Sequence, residues 1–276
     1  MRLALTLLLP AILTASSGCQ RHHGETPREA PAVILRDAQG RTLTMNELRG
    51  LSGTFSYELV GKSNVPAEAG ALHQQARHAG EAGDYPKALA LLDRASALAP
   101  QWPYPVYDKA FTYLLMKDPE NARKHYQKTV ELAPRGFFTA ITALDTLDRE
   151  AKGDLPAGTY LAFLSLEWMD NPEEKAESVR QLVGRTPGFA PAWEELADLS
   201  VDPAERLTAI EKGLAAHPDA ETKGTLQINK ALALEQKGDH AGAVRLLGEL
   251  VVDPASTLAT EHLAKVALDN VEKNRT

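Results

Sequence analysis

Side chains able to do chemistry are few in this chain and widely spaced. Cys19 is the single thiol in 276 residues. It follows an apolar run, "LALTLLLPAIL" (3–13), and a string of small residues from Thr14 to Gly18. His22 and His23 are adjacent but have no third ligand nearby, and His73 and His78 lack a close cysteine or carboxylate that would complete a metal set. H-E-x-x-H, G-x-S-x-G, S-x-x-K, Walker and EF-hand patterns are all missing from the sequence. The main support for a metalloprotease, a serine hydrolase or a nucleotide enzyme goes with them. No catalytic residue, no metal site and no cofactor is assigned, and the expectation is a protein that is not an enzyme. The chemistry that remains is that of binding. In "QWPYPVYDKAFTYLLMKD", Tyr104, Tyr107 and Phe111 recur at i, i+3 and i+7, which places them on one stripe of a helix. His73 and Arg77 fall at the matching places of the preceding segment. Aromatic and arginine side chains carry most of the energy of protein interfaces, so the five together form a candidate peptide-binding surface. The competing reading is that the rings pack against Phe137 and Phe138.

The elements that must hold these residues are helices, and they repeat. "GDYPKALALLDRASALAP" (83–100), "KDPENARKHYQKTVELAP" (117–134) and "GDHAGAVRLLGELVVDP" (238–254) can be laid over one another. Ala88 to Ala122 and Pro100 to Pro134 are each 34 residues apart. Small residues at Ala76, Ala88, Ala110 and Ala122 allow two helices to approach closely, while Leu92, Tyr113 and Tyr126 fill the space between pairs. Gly83 and Gly238 suit the left-handed end of a first helix. Pro100, Pro134, Pro187, Pro218 and Pro254 end second helices, each 11 or 12 residues beyond Ala88, Ala122, Ala176, Leu207 or Ala243.

This period and these residues resemble the tetratricopeptide repeat, whose pattern runs W-x2-L-G-x2-Y, then A-x3-F, then P. Val106, Ala110, Tyr113, Ala122, Tyr126 and Pro134 stand at the motif positions, and "AWEELADL" supplies Trp193, Leu196 and Ala197. The resemblance implies an all-α fold, a right-handed α-solenoid of helical hairpins, with the first helices lining a concave groove in which peptides lie. On that reading Tyr104, Tyr107 and Phe111 face the groove and are partly exposed, whereas Ala110 and Tyr113 are buried. The Lys and Asn pattern that clamps a terminal carboxylate in chaperone-binding members is absent, so that ligand class is not carried over. Helix pairs are expected near 67–100, 101–134, 135–169, 172–200, 203–237 and 240–272. Ala122 to Ala176 is 54 residues, however. Past residue 135 either one helix is unpaired or the first and second roles swap. The last segment, with Leu263, Val266, Ala267 and Val271 on one side and Thr260, Glu261, Lys265, Asp269 and Glu272 on the other, fits a helix that closes a solenoid end.

Ahead of the helices the chain divides into an export signal (1–18), a polar tether (19–31) and a small β-rich cap (32–62), with the solenoid at 63–273. Residues 1–18 have the one-charge start, apolar core and small-residue boundary of a signal. The core is about eleven residues, against the roughly 20 needed to span a bilayer. "SSGCQ" is similar to the lipobox of bacterial lipoproteins, which implies lipidation at Cys19, although Ser16 stands where leucine is usual. Gln20 rather than Asp after the cysteine implies the outer membrane, facing the periplasm, or the cell membrane where there is no outer one. "AVILRD", "RTLT" and "TFSYELVG" read as strands, and Thr44 and Glu47 as the capping box of a one-turn helix. "RDAQGRTLTMNELRG" is also somewhat like the opening of thioredoxin-like lipoproteins, but no C-x-x-C follows and a redox domain is excluded.

Thirty basic residues against 37 acidic ones give a net charge of −7, or −8 once Arg2 leaves with the signal. Such a surface repels nucleic acid and anionic lipid, so membrane attachment is expected through the acyl chains. Together these features predict a lipid-anchored adaptor or scaffold that binds envelope proteins or peptides. The alternative is an envelope enzyme or enzyme regulator whose site shows no motif. The partner, the pathway and the oligomeric state are not encoded in any motif.

Overall fold

The computed structural model describes residues 65–273 and the backbone of three short strands at 32–36, 42–43 and 56–60. Cys19, the signal, the tether and the expected capping box at Thr44 lie outside the described residues. The strands β1 (Ala32–Arg36), β2 (Thr42–Leu43) and β3 (Ser56–Val60) form an antiparallel sheet of order β2-β1-β3, with Leu35 opposite Leu43 and Ile34 opposite Glu58.

From Ala67 to Lys273 the described chain is helical throughout: α1 (Ala67–Glu81), α2 (Tyr85–Leu98), α3 (Pro103–Leu115), α4 (Pro119–Leu132), α5 (Ala140–Lys152), α6 (Thr159–Leu164), α7 (Pro172–Arg185), α8 (Ala190–Leu199), α9 (Pro203–Ala215), α10 (Ala220–Gln236), α11 (His240–Val252) and α12 (Leu258–Lys273). A 3-10 turn, Ser165–Trp168, extends α6.

Local chemistry explains where the hairpins turn. Asp84, Asp118, Asp202 and Asp239 each accept from the amides of the next helix's first turn, satisfying donors that the helix cannot satisfy itself. Proline stands in the first turn of α2, α4 and α9, where its missing N–H is no loss. Three turns share one bonding pattern, in which the aspartate N–H reaches back five residues: Asp84 to Ala79 O at 2.8 Å, Asp118 to Tyr113 O at 2.9 Å and Asp239 to Leu234 O at 2.9 Å. That wrap needs a left-handed residue just before the aspartate. Gly83 (φ 78°) and Gly238 (φ 85°) supply it, and Lys117 (φ 60°) does so without being glycine.

Packing then pairs α1 with α2 and α3 with α4, as the repeat spacing predicts. In the middle the expected pairs 172–200 and 203–237 give way. The extensive contacts are α8 with α9 and α10 with α11, and α12 packs on both α10 and α11. Short α6 with its 3-10 turn cannot match α7 along its length, so the register of first and second helices shifts by one element. Each hairpin seam is floored by alanines with no exposed surface, such as Ala69, Ala110, Ala122, Ala197, Ala231 and Ala243. At the end of the array α12 buries Leu263, Ala264, Ala267 and Val271 against α10 and α11. Thr260, expected on its outer side, is instead buried because Gly224 of α10 leaves room for it: a Cβ there would lie 2.0 Å from Thr260 Oγ1.

One contact departs from solenoid behaviour, in which a repeat touches only its neighbours. The segment before α5 meets the far end of the array. Arg135 O accepts from Leu258 N at 2.7 Å, Arg135 Nη2 donates to Ser256 O at 3.2 Å and to Glu261 at 2.5 Å. Seven residues on, the first turn of α5 is capped from α10. Glu221 Oε2 accepts from Thr142 N at 3.0 Å and from the Thr142 hydroxyl at 3.1 Å. Thr139, the local cap position, makes no capping bond of its own.

Candidate functional site

Helix α3 begins at Trp102 with Pro103 and Pro105 in its first turn, and Val106 and Ala110 turn inward. Tyr104, Tyr107 and Phe111 are half-buried on the adjoining stripe. Tyr104 stands edge-on to Phe137 (4.7 Å between ring centres) and Phe138 (5.4 Å), and Tyr107 lies 5.7 and 5.3 Å from the same two rings. Edge-to-face rings at such separations attract beyond their area burial. The Tyr107 hydroxyl is 2.9 Å from that of Thr139. Tyr113, expected to be buried, is half-exposed and stacked flat on His125 at 5.3 Å. The space inside the hairpin that it was expected to fill is taken by Leu114 and Tyr126.

His73 is buried, and its Nε2 lies 2.8 Å from Asp108 Oδ2. Its ring meets Trp102 at 4.9 Å and Tyr104 at 5.8 Å. It is thus an internal link between α1 and α3 and presents no free face to a ligand. Arg77, one turn on, is half-buried. Of the five expected binding residues, Tyr104, Tyr107 and Phe111 share one surface, while His73 supports that surface from beneath.

A second group was not singled out from the sequence. Helix α8 carries Glu194, Glu195 and Asp198, α10 carries Glu221, and the 3-10 turn carries Glu167. Tyr160 is set by Glu150, which accepts from Gly158 N at 2.8 Å and Tyr160 N at 2.7 Å. Burial, with Glu195 as like-charged neighbour, pushes the Asp198 carboxyl up to about 7, against Arg206 and a bond from Asn229 at 3.0 Å. Burial likewise raises Glu221 to about 8, opposed by the Thr142 amide and assisted by Asp219. Glu194 is also held well above the ordinary carboxylate range, first by burial and then by Asp198, Asp219, Glu195 and Glu221. Glu167 moves the same way from burial and Glu195. Burial also drives the Tyr107, Tyr126 and Tyr160 phenols upward, so none ionises near neutrality. Lys175, 2.5 Å from Glu195, is the cation on this side. Chemically, the group offers protonated carboxyls and phenols as hydrogen-bond donors beside aromatic surface. A signal for it was present in Glu194 and Asp198, two acids at i, i+4 inside the otherwise apolar "AWEELADL", but their neighbours come from α5 and α10, far away in sequence.

Among the described residues no group of three or more His, Cys, Asp or Glu could hold a metal ion, and no helix is long and apolar enough to cross a membrane. No family model matches the chain, and no curated protein matches it. Solved structures similar to it include MamA from Desulfovibrio magneticus RS-1, at 15% identity and a TM-score of 0.33, over 67% of this chain and 94% of that one. The TPR2AB domain of yeast Sti1, in its pHSP90 complex, gives 15% and 0.35 over 75% and 86%. The thermophilic TPR protein TTC0263 of Thermus thermophilus gives 16% and 0.31 over 72% and 98%. Likenesses this distant carry no weight beyond themselves. The tetratricopeptide-like architecture stands on the hairpins, shared turn bonds and spacing of the chain itself.

Proposed function

We propose that this array of tetratricopeptide-like hairpins is a lipid-anchored adaptor, held to the bacterial outer membrane through Cys19, which binds a protein or peptide of the cell envelope. The observation that supports binding is the half-buried aromatic stripe Tyr104, Tyr107 and Phe111, carried on a rigid hairpin whose alanine seam fixes it in place. Large rings held in position lose little freedom on contact with a partner, which is why they make effective anchors. The anchor and its compartment rest on the signal-like start and the thiol that follows it.

The test is a pull-down from detergent-solubilised membranes with the anchored protein, beside a Tyr107→Ala, Phe111→Ala variant. A partner held by the parent and released by the variant, with thermal stability kept, is the expected result. Equal recovery by both proteins would place the binding surface elsewhere. A fall in stability of about 3 to 5 kcal/mol, as for emptied core aromatics, would mean that the stripe is packing. The second reading, an envelope enzyme, draws on Glu194, Asp198 and Glu221, because shifted carboxyls gather where acid–base chemistry is done. Loss of a hydrolytic activity in Asp198→Asn, with partner capture intact, would favour it.

A further inference from the structure

We infer that residues 135–139 form a strap that occupies the aromatic face of α3 in place of a bound peptide, latched at its origin to the far end of the array. This deepens the adaptor reading and rests on it. Phe137 and Phe138 lie against Tyr104 and Tyr107, the side chains a ligand would touch, and the Thr139 hydroxyl takes the hydrogen bond that the Tyr107 hydroxyl offers. Phe138 holds this position with φ at +49°, a left-handed conformation that an aromatic residue adopts only where its surroundings force it. Gly136 is left-handed as well, with φ at +97°.

The forcing contacts are identifiable. Arg135 is bound through its carbonyl to Leu258 N and through its side chain to Ser256 O and Glu261. Gly136 lies so close to α12 that a Cβ would stand 3.1 Å from Thr257 Cβ and 3.3 Å from Glu221 Oε1. On the other side of the strap, Thr142 is tied to Glu221 and Asp219. A solenoid needs none of these contacts, because each repeat is already satisfied by its neighbours. Their effect is local: they hold a strained five-residue segment down on the one aromatic stripe of α3. Release of the latch lets Phe138 return to an ordinary backbone conformation and uncovers Tyr104 and Tyr107 for a partner segment bearing adjacent aromatic residues.

The experiment compares the full protein with Arg135→Ala and, as a second route to release, Glu261→Gln. Hydrogen exchange of amides 136–143 should quicken at least tenfold in both variants while α1, α2 and α9–α11 keep the parent's protection. A fluorescent peptide of the strap sequence, APRGFFTA, should bind the variants at least tenfold more tightly than the parent. Unchanged exchange at 136–143, or a rise spread over every helix, overturns the strap and leaves the adaptor reading untouched. Local release without any peptide binding overturns the reading of the α3 stripe as a peptide site, and autoinhibition with it.

Discussion

Glu221 makes folding stability depend on pH in a direction opposite to that of most carboxylates. Its side chain is 8% exposed, and its folded-state pKa is about 8 against an ordinary 4.5. Between these values the folded protein keeps a proton that the unfolded chain has released. The stabilisation is therefore complete below about pH 4.5 and is lost as pH rises through about 8. The full gap corresponds to about 5 kcal/mol, and its limiting slope is about 1.4 kcal/mol per pH unit for one proton. Water entry and rearrangement around the α5 cap reduce this to roughly half. Asp198, raised to about 7, adds a fall of the same sign, discounted further for its partial exposure. Glu261 is pushed down to about 2 by Lys265 and Arg135, so its contribution changes only below about pH 4.5, outside this window. Urea unfolding at intervals from pH 5.5 to 8 should show stability decreasing. Glu221→Gln, whose amide oxygen can still accept from Thr142 N, should flatten the decrease by about 0.7 kcal/mol per pH unit. Stability that rises with pH, or a slope equal in parent and variant, would refute the reasoning.

Other substitutions test separate parts of the structure. Tyr126 is fully buried and its hydroxyl has no hydrogen-bond partner, so Tyr126→Phe should raise stability by about 1 kcal/mol, read as a higher Tm; a loss would mean that the phenol is satisfied. Gly224→Ala pushes a methyl group into Thr260 and should destabilise by about 1 to 3 kcal/mol, concentrated in the protection of α12 against hydrogen exchange. Cys19→Ser should move the protein from the membrane to the soluble fraction or leave its signal uncleaved; unchanged membrane fractionation with normal cleavage would remove the anchor from the proposed function.

The helices and their turns were legible in the sequence because their causes are local. An aspartate that caps, a proline in the first turn and a glycine that can turn left-handed act within five or six residues, and they mark Asp84, Asp118, Asp202 and Asp239 correctly. Alanine spacing likewise revealed the close seams of the first two hairpins. The aromatic stripe of α3 was also visible, and so was the competing contact with Phe137 and Phe138. What the sequence left open was decided by packing between distant parts. Pairing after residue 135 depends on how much apolar length each helix offers, and α6 is too short to keep the register. Tyr113 looked like a core residue by its repeat position, but His125 gave its ring a flat partner at the surface. The latch joins Arg135 to Glu261, and Thr142 to Glu221, across separations of 126 and 79 residues. No sequence pattern spans such distances, because they close only through the curvature accumulated over every intervening hairpin. The shifted carboxyls belong to the same class: Glu194, Asp198 and Glu221 are ordinary acids until three separate helices remove water from around them.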